Sequence, residues 1–217
     1  MRRGSLDPSG LVLVDKPEGP SSFAIVRDLR RQTGARAGHA GTLDPFATGL
    51  LLVLLGRSTK LAQRFVGLDK RYRTEIDLSA RTTTGDREGE VIEQQEPPWR
   101  EELEARLEHF RGEVDLPIPA ASAVKVGGER AYRLHRKGVT VEMPVRRSTI
   151  HSLELVDYDG RIATLDLLVG SGTYVRSIAD ELGGHCRKLR RTEVGPFRVE
   201  DADPSRILSP EEALAAL

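Results

Sequence analysis

The chain has 217 residues, 38% hydrophobic and 30% charged, and 33 Lys and Arg balance 33 Asp and Glu for a formal net charge of zero. That is enough chain for one large domain or two small ones. No apolar run approaches the ~20 residues that span a bilayer, the short, polar first ten residues lack the form of a signal peptide, and the single Cys186 cannot form an internal disulfide, which fits a reducing compartment.

Residues 11–14, Leu-Val-Leu-Val, predict a short buried strand, and Lys16-Pro17-Glu18-Gly19-Pro20 a turn. Ser21 or Ser22 then caps a helix with Phe23, Ile25, Val26 and Leu29 on one face and Gly34 as its C′ residue. A glycine-rich loop over 38–49 leads into a strongly apolar strand at 50–55. A short helix is expected at 59–66. Residues 72–78 alternate Tyr72, Thr74, Ile76 and Leu78 against Arg73, Glu75 and Asp77, the pattern of a half-buried strand. An acidic amphipathic helix over 99–110 is stopped by Gly112. Residues 115–146 read as an excursion from the core, in which Pro117, Pro119 and small residues precede a basic stretch. Residues 149–158 and 162–169 form a hairpin around Tyr158-Asp159-Gly160. A helix at 173–182, a loop, the segment Leu189-Arg190-Arg191 and a last short strand follow, and a final helix has Ser209 as N-cap and Pro210 at N1. Strands separated by helices at uneven spacing predict an α+β fold with a mixed sheet.

The charges are segregated. Residues 125–147 carry seven Lys/Arg against two Glu, 57–73 carry six against one Asp, and 86–115 carry eleven acids against four Arg. A protein with one face toward a polyanion and another toward water has this pattern, and so do solvated faces without a partner.

Asp44 has the most distinctive setting of any titratable residue. Pro45 restricts its backbone to extended or turn conformations, and Gly41 and Gly49 permit close approach of a ligand. The competing reading is a turn aspartate that caps its own loop. Arg176, in the first turn of a helix beside Tyr174, is a second candidate, with a surface salt bridge as its alternative. His39 reads on its own as a structural hydrogen-bonding residue, and Cys186 as a small buried apolar one. The loop lacks the Lys-Ser/Thr of a P-loop and the spacing of a dinucleotide fingerprint. There is no Gly-x-Ser-x-Gly elbow, and a glycosidase needs two carboxylates where only Asp44 has a persuasive setting. Cys186 and His185 have no second Cys/His pair at zinc-ligand spacing, so no metal is expected. The residues alone lead to an enzyme or binder of a polyanion with one notable aspartate.

Gly38-His39-Ala40-Gly41-Thr42-Leu43-Asp44-Pro45-x-Ala47-Thr48-Gly49-Leu50-Leu51 closely resembles the catalytic signature of the TruB family of tRNA pseudouridine synthases. Lys16-Pro17-x-Gly19-x-Ser21-Ser22, Lys70-x-Tyr72, Ser122-Ala123-x-Lys125-Val126-x-Gly128-x-Arg130-Ala131-Tyr132, Gly172-Thr173-Tyr174-Val175-Arg176 and Leu189-Arg190-Arg191 match further motifs in the family's order. The resemblance implies a pseudouridine synthase catalytic domain over 10–217, with an RNA-binding insertion at about 115–146 and no C-terminal PUA domain. It implies an enzyme that isomerises the T-loop uridine (position 55) of tRNA without cofactor or metal, in the cytoplasm, as a monomer with no membrane contact and no obligatory protein partner. Asp44 would be the nucleophile, and Tyr72 would stack on the flipped uracil and take part in later proton transfer. Arg176 would pair with Asp44; an adjacent cation favours the charged carboxylate. His39, Tyr174 and Leu189 would line the nucleotide pocket and Lys16 would support the loop. Lys125, Arg130, Arg133 and Arg136 would clasp the T-arm stem-loop, an RNA read by shape, phosphates and unstacked bases. Attack at C6, attack at C1′ and a glycal route all stay open. The sequence departs from the family's pattern at Leu116-Pro117-Ile118-Pro119-Ala120-Ala121, where Ala121 stands in a tyrosine's place, and in a shorter interval between Arg176 and Leu189. A related synthase acting on another RNA, and a tRNA-folding helper in which catalysis is secondary, are the alternatives.

Overall fold

The computed structural model describes residues 8–217. Its elements run β1 (Gly10–Lys16), α1 (Ser22–Thr33), β2 (Ala37–His39), β3 (Thr48–Leu55), a 3-10 turn (Gly56–Leu61), α2 (Ala62–Val66), β4 (Lys70–Asp77), β5 (Ala80–Thr82), β6 (Val91–Gln94), α3 (Arg100–Glu108) and β7 (Gly112–Pro117). They continue with β8 (Lys125–Val126), β9 (Glu129–Arg130), α4 (Ala131–Arg136), β10 (Val145–Tyr158), β11 (Ile162–Val169), α5 (Val175–Glu181), β12 (His185–Val194), β13 (Phe197–Arg198), a second 3-10 turn (Val199–Asp201) and α6 (Pro210–Ala215). The expected α+β class with a mixed sheet is observed. Two units are built from this chain: one from the segments up to Tyr72 and from Leu189 onward, the other from Arg73–Lys188.

In the first unit β3 is the central strand. β1 bonds one edge antiparallel, from Gly10 opposite Leu55 to Lys16 opposite Gly49. The other edge takes β12 in parallel at Thr48 and Gly49, and β2 antiparallel at Val53 to Leu55. Every residue from Leu50 to Leu55 is buried, so the strand reads as a continuous apolar run rather than an alternation. The even-numbered leucines pack with Leu11, Leu13, Phe65 and Phe197 in one cluster. Burying each large apolar side chain contributes roughly 1.5–3 kcal/mol relative to exposure.

Local chemistry sets the helix ends. The Ser21 hydroxyl accepts from Ala24 N at α1, and Gly34 closes that helix with φ 69° and its N–H on Arg30 O. Ser209 and Glu212 form a capping box at α6 with Pro210 in the first turn. Phe23 departs from expectation: α1 buries Ser22, Val26 and Leu29, and Phe23 is 69% exposed. The expected 59–66 helix divides into a 3-10 turn and the five-residue α2. Leu189-Arg190-Arg191, expected after a loop, is the middle of the ten-residue β12.

In the second unit β4, β11, β10 and β7 are successive neighbours. β10 bonds β7 through Val145–Ile150 and then β11 through Ile150–Tyr158. β7 and the first residues of β10 were not foreseen as strands. Residues 118–144, which include the β8–β9 ribbon and α4, connect these two paired strands. Strands β4 and β12 run through both units. In the first, Thr192 Oγ1 donates to Arg71 O (3.3 Å); in the second, Thr74 Oγ1 donates to Lys188 O (2.7 Å). Cys186 is buried as expected, with the Thr74 hydroxyl 3.8 Å from its sulfur.

Candidate active site

Asp44 lies on the connection between β2 and β3. Asp44-Pro45-Phe46-Ala47 form a β-turn closed by Ala47 N donating to Asp44 O (3.1 Å), with proline at the position whose φ it pre-sets. Leu43, Phe46 and Ala47 are buried while Asp44 is half-exposed. Three apolar side chains thus anchor the turn and leave its carboxylate within reach of solvent. Gly49 has φ 102°, and a Cβ there would stand 2.2 Å from Arg191 O, so the second position of β3 accepts only glycine.

Buried polar groups hold the turn from several sides. The Ser22 hydroxyl donates to Leu43 O and accepts from Leu43 N, both at 2.8 Å. Gly19 N donates to Pro45 O (2.9 Å). Lys16, fully buried, donates through Nζ to Pro17 O (2.8 Å) and Pro45 O (3.2 Å). Tyr72 on β4 and Leu189 on β12, 8% and 7% exposed, complete the residues of the first unit that the sequence singles out. His39 does not fit a structural hydrogen bond at Nδ1, which is buried without a partner. Burial, and then the Arg191 charge, lower its pKa, which favours a neutral ring at physiological pH.

Lys70 also adjoins this connection: a Cβ on Gly41 would lie 3.9 Å from its Cε. Its ammonium donates to Val66 O (2.6 Å) and Leu68 O. Burial, then the Arg191 charge, bring its pKa from 10.5 down to about 8 against the opposing pull of Asp69. Between those two values the unfolded chain binds a proton that the folded chain releases, so stability rises with pH across that window and the deficit is fully present below it. Urea unfolding at pH about 7.5, 9 and 10 is expected to show this rise in the wild type and a flatter profile in Lys70→Met. Identical profiles would remove Lys70 as the cause.

In the second unit Tyr174 is the N-cap residue of α5 and Arg176 lies in its first turn. A surface salt bridge is excluded for Arg176, which is 3% exposed. Its Nη1 donates to Thr84 O (2.7 Å) and its Nη2 to Ala121 O (3.0 Å), and Nη1 lies 3.6 Å from Asp86 Oδ2. Asp86 is itself buried, and its Oδ1 accepts from Thr84 Oγ1 (2.7 Å) and Glu88 N (3.0 Å). Sequence reasoning missed Asp86; the polar run Thr82-Thr83-Thr84-Gly85-Asp86 was the available signal. The Thr173 and Ser122 hydroxyls are buried without partners.

Lys125, Arg130, Arg133 and Arg136 are exposed on the β8–β9 ribbon and α4. The Arg133 and Arg136 guanidinium carbons lie 5.9 and 5.8 Å from the Tyr132 ring centroid, a cation–π arrangement. Among the described residues no three His, Cys, Asp or Glu side chains gather into a metal-holding group, and no helix is long and apolar enough to cross a membrane.

The fold is that of pseudouridine synthases. A chain in the solved structure of a Cbf5-Nop10-Gar1 complex superposes with TM-score 0.67 at 27% identity, over 87% of this chain and 50% of that one. A solved pseudouridylate synthase, 17% identical, shares the fold with TM-score 0.52 over 98% of this chain and 76% of that one. Among curated sequences, tRNA pseudouridine synthase B of Cereibacter sphaeroides is 45% identical over 95% of this chain and 73% of its own length. Its counterpart in Corynebacterium diphtheriae is 39% identical over 98% and 79%. The profile of TruB family pseudouridylate synthases (N-terminal domain) matches residues 29–175. The chain belongs to the TruB family.

Proposed function

We propose that the chain is a tRNA pseudouridine synthase that isomerises the T-loop uridine at position 55, with Asp44 as its nucleophile. The observation that carries this reading is the Asp44 turn itself: a half-exposed carboxylate on a turn whose every neighbour is buried or hydrogen-bonded. Such preorganisation suits covalent catalysis, which divides one hard step into easier ones. Curated relatives named for action on tRNA, matched over most of the chain, favour tRNA over another RNA as the substrate.

The uridine leaves the T-loop stack before its glycosidic bond can be reached. Tyr72 offers a ring to the flipped uracil, and stacking on an aromatic returns ~1–3 kcal/mol per base. Asp44 then attacks. The N1–C1′ bond breaks, the base turns, the C5–C1′ bond forms, the bond to Asp44 breaks to return the free carboxylate, the C5 proton leaves and N1 gains one, with no net oxidation or hydrolysis. Arg176 and Tyr174 are assigned to the reaction by their motif, and neutral His39 with Leu189 borders the nucleotide. The exposed basic segment binds the T-arm backbone.

Pseudouridine mapping on a T-arm stem-loop tests the reaction: the wild type is expected to convert the single target uridine, and no product would end the enzyme reading. Neutralising Lys125, Arg130 and Arg133 together is expected to weaken stem-loop binding and flatten the slope of log K against log salt, by up to about 0.7–0.9 for each phosphate that is no longer neutralised. An unchanged slope would show that RNA is held elsewhere.

A further inference from the structure

Arg191 is 1% exposed, yet among the described residues its guanidinium donates hydrogen bonds only to main-chain carbonyls. Nε donates to Leu50 O (2.8 Å), Nη2 to Gly41 O (3.1 Å) and Nη1 to Thr42 O (3.5 Å). Gly41 and Thr42 precede Asp44, and Leu50 follows it. One planar group therefore ties together the two ends of the segment that carries the carboxylate. The backbone of Arg191 adds to this clamp, because it pairs with Gly49 on β3 at a distance that excludes a Cβ.

Burying a cation without a carboxylate is costly unless carbonyl dipoles satisfy it. An apolar side chain of similar volume would fill the space and could not bridge the three carbonyls. A guanidinium fork does so through three separate nitrogens, whereas a lysine ammonium has only one to place. We infer that Arg191 is a positioning residue for the reaction, fixing where Asp44 stands relative to the substrate; this rests on the reading of Asp44 as the nucleophile. Remote misplacement of about 1 Å is enough to cost on the order of 100-fold in rate.

The test compares wild type, Asp44→Asn, Arg191→Lys and Arg191→Met on the T-arm stem-loop. It measures single-turnover pseudouridine formation, stem-loop Kd and amide hydrogen exchange. In Arg191→Lys the rate is expected to fall about 10- to 100-fold with Kd within about twofold of wild type. Exchange is expected to quicken over residues 41–48 and to stay unchanged in β11. Arg191→Met, which keeps the volume and loses the charge, provides the same measurements if the lysine variant does not fold. A rate within twofold of wild type in a folded variant overturns the inference, as does loss of rate and binding in step with faster exchange across the whole first unit. An inactive wild type, or an Asp44→Asn variant as fast as wild type, overturns instead the reading of the site on which the inference rests.

Discussion

Asp44→Asn is expected to form no measurable pseudouridine, a loss of at least about 10⁴-fold in single-turnover rate, while stem-loop binding stays within a few-fold of wild type. Removing a nucleophile costs on this scale because nothing else in a preorganised site replaces its bond-forming role. The substitution suits the test because Asn has the same shape, and the turn is held by Ala47 N on the Asp44 main-chain oxygen, Ser22 on Leu43 and Lys16 on Pro45. None of these uses the Asp44 carboxylate. Asp44→Glu separates charge from position: it keeps the anion and displaces it by one methylene, for an expected loss of about 100-fold or more. A variant with Asn that turns over at the wild-type rate would reduce Asp44 to a turn residue, the reading that its sequence neighbourhood alone permits.

The parts of the fold legible in the sequence are those governed by local physics. The strands β1 and β3 were marked by apolar runs, β4 by alternation, β11 by the Tyr158-Asp159-Gly160 turn before it, and α1 and α6 by serine caps and a closing glycine or a leading proline. The parts that escaped depend on distant pairing. β7 is GEVDLP, poor in strand formers, and is a strand because Val145–Ile150 lies beside it. Arg191 stood in the sequence only as the last residue of the Leu189-Arg190-Arg191 motif, with no role attached; only the parallel approach of β12 to the start of β3 places it beneath the Asp44 connection. His39 resembled a satisfied polar residue, and only burial reveals its unpartnered Nδ1. For the site, the glycine-flanked aspartate and Arg176 stood out from their own neighbours, whereas Tyr72 and Leu189 acquired meaning through motif order.

Asp86 is where that limit has the largest functional consequence. Its carboxylate lies 3.6 Å from the Arg176 guanidinium, both groups are buried, and no motif singled it out. Asp86→Asn keeps the shape and an oxygen for Thr84 Oγ1 and Glu88 N, and removes the charge that faces Arg176. Breaking a buried ion pair from one side leaves the other charge less compensated, at about 3–5 kcal/mol when that charge has no other support. Arg176 also donates to Thr84 O and Ala121 O, so the expected loss of stability is smaller, about 1–3 kcal/mol. The effect on the reaction is expected to be larger, about 10²- to 10³-fold in single-turnover rate with Kd little changed, because Asp86 fixes the orientation of the Arg176 cation proposed to act in the reaction. Arg176→Lys is the companion variant. It retains the charge, but one ammonium cannot reproduce a planar fork that serves Thr84 O and Ala121 O through separate nitrogens, so a rate loss of about 100-fold or more is expected. Thermal melting beside the kinetics separates the two contributions. If Asp86→Asn loses stability but turns over at the wild-type rate, Asp86 supports the fold alone and Arg176 is oriented by its carbonyl partners.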